Sequence, residues 1–351
     1  LKPKATCRSR CARPPKAIIF GCAGAELSPE ERRFFAEANP LGFILFARNC
    51  VEPEQLRALV EELRQAVGRP EAPVLIDQEG GRVQRLGPPH WKKRPAAAVF
   101  AGLARRDREA GREAAMLNAR LMAADLHAVG INVDCAPVID LPVPGAHDII
   151  GDRAHGETPE LVAWLGQAVC EGLIAGGVQP IIKHIPGHGR ARSDSHVDLP
   201  TVETSLTELR RTDFRPFVAL KSMPWAMTAH VLYRAIDADR PVTTSKQAID
   251  SIIRGEIGFD GVLLSDDVSM EALAGTLAER SCAVLEAGCD VALHCSGKTD
   301  EMRAIADAVP PLSPAAGRRL ARAHKVAKRP GRIDIPSLER RLATLLALPS
   351  V

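Results

Sequence analysis

The sequence predicts an α/β protein built as a single (β/α)8 barrel of the TIM type. Three observations carry that expectation. Eight short apolar runs alternate with helical stretches. The runs are continuously apolar, as strands covered on both faces are. Polar, chemistry-bearing residues gather at their C-terminal ends, at Asp77, Asp134, Lys183, His184, His230, Asp266 and His294. Barrel enzymes build their sites on that face. An open doubly wound sheet is the rival arrangement, but eight βα units is the number that closes a barrel.

The first strand covers 17–21 (AIIFG). Ser28-Pro29-Glu30-Glu31 then opens a helix, with Ser as N-cap, Pro at the first helical position and Glu three residues after the cap. A strand over 41–47, a helix over 52–67 and a strand over 73–77 come next. A long helix covers 107–129 and ends at Gly130, where the fourth strand, 131–138, begins. The helix 159–175 precedes the fifth strand, 178–184. The stretch 207–221 is helical with a kink expected at Pro216. The sixth strand is 224–230, followed by the helix 246–256, the seventh strand 261–266, the helix 272–287 and the eighth strand 290–295. Surface helices close the chain, the last over 337–348.

Composition narrows the class. With 46% hydrophobic residues among 351, a large core can form. A formal net charge of only +3 argues against a dedicated nucleic-acid binder. Basic residues precede any acid only at the start (Lys2, Lys4, Arg8, Arg10, Arg13, Lys16), so residues 1–15 are expected to be a disordered tail and 16–351 the barrel with its C-terminal helices. No apolar run reaches the roughly 20 residues that cross a bilayer, so no membrane is expected. The nine cysteines are scattered and read as small buried hydrophobes of a reducing compartment, which points to the cytoplasm. Cys7 and Cys11 lack the second pair that a zinc site needs.

Three segments concentrate the chemistry. Asp77-Gln78-Glu79-Gly80-Gly81 ends a strand in a carboxylate and a glycine turn, with Arg82 and Arg85 beyond. Lys183 to His196 packs three histidines, a lysine and an aspartate into fourteen residues after an apolar strand. It closes in Asp194-Ser195-His196, and side chains at i and i+2 of an extended segment point the same way, so the carboxylate can orient and charge the ring. Ser265-Asp266-Asp267 ends another strand in two carboxylates, one able to face the barrel mouth while the other caps the next helix.

Together these segments resemble the family 3 glycoside hydrolases, and within them the bacterial β-N-acetylglucosaminidases of cell-wall recycling. The resemblance rests on IDQEGGRVQRL, RLMAADL, INVDCAPVIDL, IIGDR, KHIPGHG with DSH, MTAH and LLSDDVSM, in order over residues 16 to 300. It implies Asp266 as nucleophile, His196 as general acid/base and Asp194 as its partner. It implies that Asp77, Arg85, Arg153, Lys183 and His184 hold the N-acetylglucosamine ring. His230 lies in a matching block and is expected near the substrate. The branch is indicated by Asp194-Ser195-His196, because other members usually take the acid/base from a second domain, for which this chain has no room. Ile185 stands where the family often has an aromatic, and Arg190 and Arg192 make the loop basic, which suggests an acidic aglycone such as a muramyl carboxylate. No cofactor or metal is implied, and a monomer acting on N-acetylglucosaminides and muropeptides is expected.

The chemistry is coherent in its own right. Retaining hydrolysis needs a nucleophile and a proton donor on opposite sides of the anomeric carbon. An imidazole with pKa near ~6.5 can serve as acid and then as base near neutrality. The glycines around His188 suggest a mobile loop that delivers His196. Rival readings are a metallohydrolase using His184, His188, His196 and Asp194, a phosphorylase on the same scaffold, and a sugar-binding barrel without catalysis. Trp91, Trp164 and Trp225 are expected in the core.

Overall fold

The computed structural model describes residues 13–191, 199–326, 330–331 and 333–347. Eight strands, β1 (Lys16–Gly21), β2 (Pro40–Leu45), β3 (Val74–Ile76), β4 (Val133–Asp134), β5 (Gln179–Ile185), β6 (Trp225–Thr228), β7 (Val262–Asp267) and β8 (Val291–His294), pair in parallel and in chain order. The sheet closes where β8 meets β1, with Ile18 opposite Ala292 and Phe20 opposite His294. The expected (β/α)8 barrel is the observed fold.

The two-residue period of a strand divides the core in two. Leu75, Val133, Ile181, Leu264 and Leu293 fill the barrel interior. Their neighbours Ile76, Ile182, Leu263 and Ala292 point outward into the larger cluster beneath the helices. This double burial explains why the strands read as unbroken apolar runs. The helix Pro314–Val326 sends Ala323 into the interior cluster and packs on β5 and β7.

Local rules account for the helices. Pro29–Ala38 has the expected capping box, in which Ser28 and Glu31 satisfy each other's backbone N–H groups. Asp107 caps Arg108–Ala128 and Thr158 caps Pro159–Ala175. Three expectations need correction. A separate helix, Ala97–Arg106, precedes Asp107. The stretch 207–221 is two helices, Leu206–Arg211 and Phe214–Ala219, and the break falls before Pro216. Pro216 sits in the first turn of the second helix, where its missing N–H costs nothing. The helix before β8 starts only at Leu277, where Thr276 and Glu279 form a second capping box. The segment Ala248–Glu256 is π-helical, with Ile257 N donating to the carbonyl five residues back, of Ile252. The final helix, Ile335–Leu346, is pinned by buried Arg94, which reaches Asp125 at 3.1 Å and Glu339 at 3.0 Å.

The expected tail falls on residues 1–15. Residues 1–12 of it, with Cys7 and Cys11, lie outside the described residues. Pro15 is joined to the barrel end, its carbonyl accepting from Leu312 N. No described helix is long and apolar enough to cross a membrane.

Candidate active site

Strand periodicity places the site. Asp77, Lys183, Asp266 and Cys295 each lie two residues beyond an interior side chain (Leu75, Ile181, Leu264, Leu293) and so continue the inward-facing register at the C-terminal mouth. All four border one cavity of ≈ 390 Å³. That volume suits a small ligand such as a single sugar ring. Two other cavities of ≈ 500 Å³, one beside Arg57 and Arg64 and one beside Arg240 and Arg280, contain none of the residues singled out above.

Two irregularities add side chains that simple alternation would point away. The register of β5 against β6 slips between Lys183 and Ile185, and both Lys183 and His184 border the cavity. The register of β7 against β8 slips between Leu264 and Asp267, and both Asp266 and Asp267 border it. Bulges of this kind re-aim side chains next to active sites. Asp134 obeys the alternation and stays outside the cavity, its carboxylate accepting from Gln78 N at 3.0 Å. Burial pushes its carboxyl well above the usual range.

One wall is a row of alternating charges. Arg85 lies 3.2 Å from Asp77, and Lys183 bridges Asp77 at 2.8 Å and Glu79 at 2.7 Å. Arg153 then grips Glu79 through two hydrogen bonds of 2.8 and 2.9 Å. Burial would raise both carboxyls, but Lys183, with Arg85 at Asp77 and Arg153 at Glu79, holds them below the ordinary carboxylate range. Burial opposes the charge of Lys183, yet the two carboxylates hold its pKa above the ordinary lysine value. Such a row presents fixed donors and acceptors to a hydroxylated ligand. Glu79 was not singled out from the sequence, because its role appears only through Lys183 and Arg153, both distant in the chain.

This row yields a stability prediction. Lys183→Met leaves two carboxylates facing each other without their shared cation, and loss of one buried partner costs about 3–5 kcal/mol. Denaturant unfolding at neutral pH measures it. In the wild type the folded-state values of Asp77 and Glu79 lie below the ordinary ones of 3.8 and 4.5. The unfolded chain therefore takes up protons first on acidification. The stabilisation is complete above roughly pH 5 and falls as the pH drops below it. In Lys183→Met the two folded-state carboxyls rise toward their unfolded values, so the difference in proton uptake, and with it the acid-dependent loss, shrinks.

Asp266 stands at the end of β7. Burial would raise its carboxyl, but His184, His230, the Asp267 N–H at 2.8 Å and Lys183 together hold it below the ordinary range. It is therefore ionised at neutral pH. Asp267 accepts from Ser269 N and Oγ and shapes the turn beyond it. His230 is fully buried behind the strand ends rather than at the cavity surface: its Nδ1 meets Thr243 Oγ1 at 2.8 Å and its Nε2 meets the Asp267 carbonyl at 3.0 Å. That carbonyl can only accept, so Nε2 carries the proton. His294 is also buried, beside Glu301 at 3.1 Å. Phe46, at the end of β2, lines the cavity between Arg48 and Arg85, whose guanidinium carbons lie 4.8 and 5.5 Å from its ring centroid. Cys295 lines it too, but burial pushes its thiol well above the usual value and leaves it protonated.

His196 and Asp194 lie outside the described residues, as does Arg192. The described stem of their loop, Pro186–Ala191, is buried and pinned, apart from half-buried Arg190. Tyr233 donates to the Gly187 carbonyl, and Ala191 O accepts from His147 N. A side chain at Gly189 would overlap the Leu141 carbonyl oxygen. Gly189 is thus required for close packing at the stem of the loop. Arg190 is committed within the protein, 2.7 Å from Asp213, which corrects its expected availability to an acidic aglycone. None of the three tryptophans borders this cavity. Among the described residues no three metal-ligating side chains converge.

Comparison with known proteins points one way. Residues 21–328 match the glycosyl hydrolase family 3 N-terminal domain. The chain is 39% identical to a β-hexosaminidase of Alkalilimnicola ehrlichii over 311 residues, 88% of each chain. It is 42% identical to a β-hexosaminidase of Methylococcus capsulatus over 79% of this chain and 82% of that one. Its fold superposes on NagZ from Neisseria gonorrhoeae in complex with N-trifluoroacetyl-D-glucosamine with a TM-score of 0.86 at 32% identity, covering 95% of this chain and 99% of that one.

Proposed function

Since the chain belongs to family 3 of the glycosyl hydrolases and is therefore a glycoside hydrolase, we propose that it is a retaining exo-β-N-acetylglucosaminidase acting in the cytoplasm, as a monomer, on muropeptides of the N-acetylglucosaminyl-anhydro-N-acetylmuramyl type. The observation that carries this reading is the ionised Asp266 at the cavity, with the Asp77–Lys183–Glu79–Arg153 row bordering the same cavity. The gonococcal structure holds an N-acylated glucosamine, which supports the same ring for this cavity. Free cysteines at every described position fit a reducing compartment.

The reaction runs in two steps. An Asp266 oxygen attacks the anomeric carbon, the bond to the leaving oxygen breaks, and protonated His196 gives that oxygen its proton. Neutral His196 then takes a proton from water, whose oxygen displaces Asp266 and restores the β configuration. Asp194 stabilises the protonated ring and fixes its tautomer. Lys183, Arg153, Arg85 and His184, with Asp77, orient the sugar hydroxyls, which supplies the proximity on which the attack depends.

Product analysis in phosphate-free buffer tests the reading. Release of free N-acetylglucosamine with initial β configuration, from the muropeptide disaccharide and from chromogenic β-N-acetylglucosaminides but not β-glucosides, is the expected result. Turnover that requires phosphate and yields the sugar 1-phosphate identifies a phosphorylase instead.

A further inference from the structure

A fully buried carboxylate, Asp140, is used entirely by the end of β5, which carries His184, and by the loop after it, which carries His188. Its Oδ1 accepts the backbone N–H of His184 at 3.1 Å and of His188 at 2.7 Å. Its Oδ2 lies 2.7 Å from His184 Nδ1. A carboxylate fed by backbone N–H groups and a ring nitrogen is held ionised, so the proton between them belongs to Nδ1. His184 borders the cavity and its Nε2 has no protein partner among the described residues. The His188 ring packs edge-on against it, with centroids 5.6 Å apart, and borders the same cavity.

We infer that Asp140 is a positioning residue of the hydrolase: by accepting Nδ1–H and two backbone N–H groups, it fixes the tautomer and orientation of His184, so that this ring meets the sugar through Nε2 alone. The inference rests on the reading that the cavity binds a sugar. Without the carboxylate the ring is free to exchange tautomers, and Nε2 changes from acceptor to donor in the neutral form. Burial pushes the neighbouring His188 down to about 4, so this second ring is neutral at the working pH and adds no competing charge to the pair.

The test combines a spectrum and a rate. In the full chain with 15N-labelled histidine, long-range 1H–15N spectra should show Nδ1 of His184 protonated. Asp140→Asn keeps an oxygen for the two backbone donors but turns an amide N–H₂ toward Nδ1, which must then accept, so the proton should move to Nε2. We expect kcat/KM on a β-N-acetylglucosaminide to fall about 10²-fold, the scale of a misplaced contact, at an unchanged unfolding midpoint. On a His184→Gln background the same substitution should lose little, because the two act as one unit. An unprotonated Nδ1 in the wild type overturns the inference without any variant, and so decides the matter if Asp140→Asn does not fold. A loss within about twofold, or one that adds fully to that of His184→Gln, overturns it too. If the wild type cleaves no N-acetylglucosaminide, the sugar reading fails, while the spectrum still decides the tautomer.

Discussion

Asp266→Ala is expected to lose about 10⁴-fold or more in kcat on every substrate, whatever its leaving group, because the proposed nucleophile is gone. Three features of the structure support that proposal. Asp266 continues the inward register of β7 at the barrel mouth. Its carboxyl is held ionised by His184, His230 and the Asp267 N–H against the effect of burial. Asp267, its neighbour, is occupied by Ser269 and cannot take over. The protein itself should survive the substitution: Asp266 accepts one backbone hydrogen bond, from the adjacent residue, and is not part of the Asp77–Lys183–Glu79 row. Steady-state kinetics together with an unfolding midpoint checks both halves. A residual activity within about tenfold of the wild type would place the nucleophile elsewhere.

His196→Ala behaves differently. General acid–base assistance is typically worth ~10²–10⁴-fold, and the loss should have that size on a muropeptide or another poor leaving group. An activated aryl leaving group departs without a proton, so its first step should be hardly affected and glycosyl-enzyme should accumulate, visible as a burst of phenolate. Added azide, which needs no base, should then restore turnover and give a β-glycosyl azide. Equal losses for His196→Ala on both classes of substrate would remove the imidazole from this role.

The barrel was legible in the sequence because double burial leaves a plain mark, the eight unbroken apolar runs. Boundaries were less so. The run 131–138 yields a ladder at Val133–Asp134 and a further isolated bridge at Val138, opposite Lys183, with Pro137, which has no N–H to give, between them. The helix Ala97–Arg106 lacks a capping side chain at Ala96 and is followed by only one residue before the next helix, so nothing in the local pattern announces it. The site divides the same way. Asp77, Lys183 and Asp266 sit at strand ends, where alternation alone aims them. Glu79 and Asp140 act through partners 74 and 44 positions away, a relation that only the closed barrel creates. His230 shares its segment with chemistry-bearing neighbours, yet the fold turns it away from the cavity and onto Asp267.

The most direct measurement is mass spectrometry of the protein trapped with a 5-fluoro N-acetylglucosaminyl inactivator, digested and sequenced. The expected result is one sugar per chain, attached to Asp266 in the peptide that holds Leu263-Leu264-Ser265-Asp266-Asp267. A sugar on any other side chain, or time-dependent inactivation that leaves no covalent adduct, would contradict Asp266 as the nucleophile.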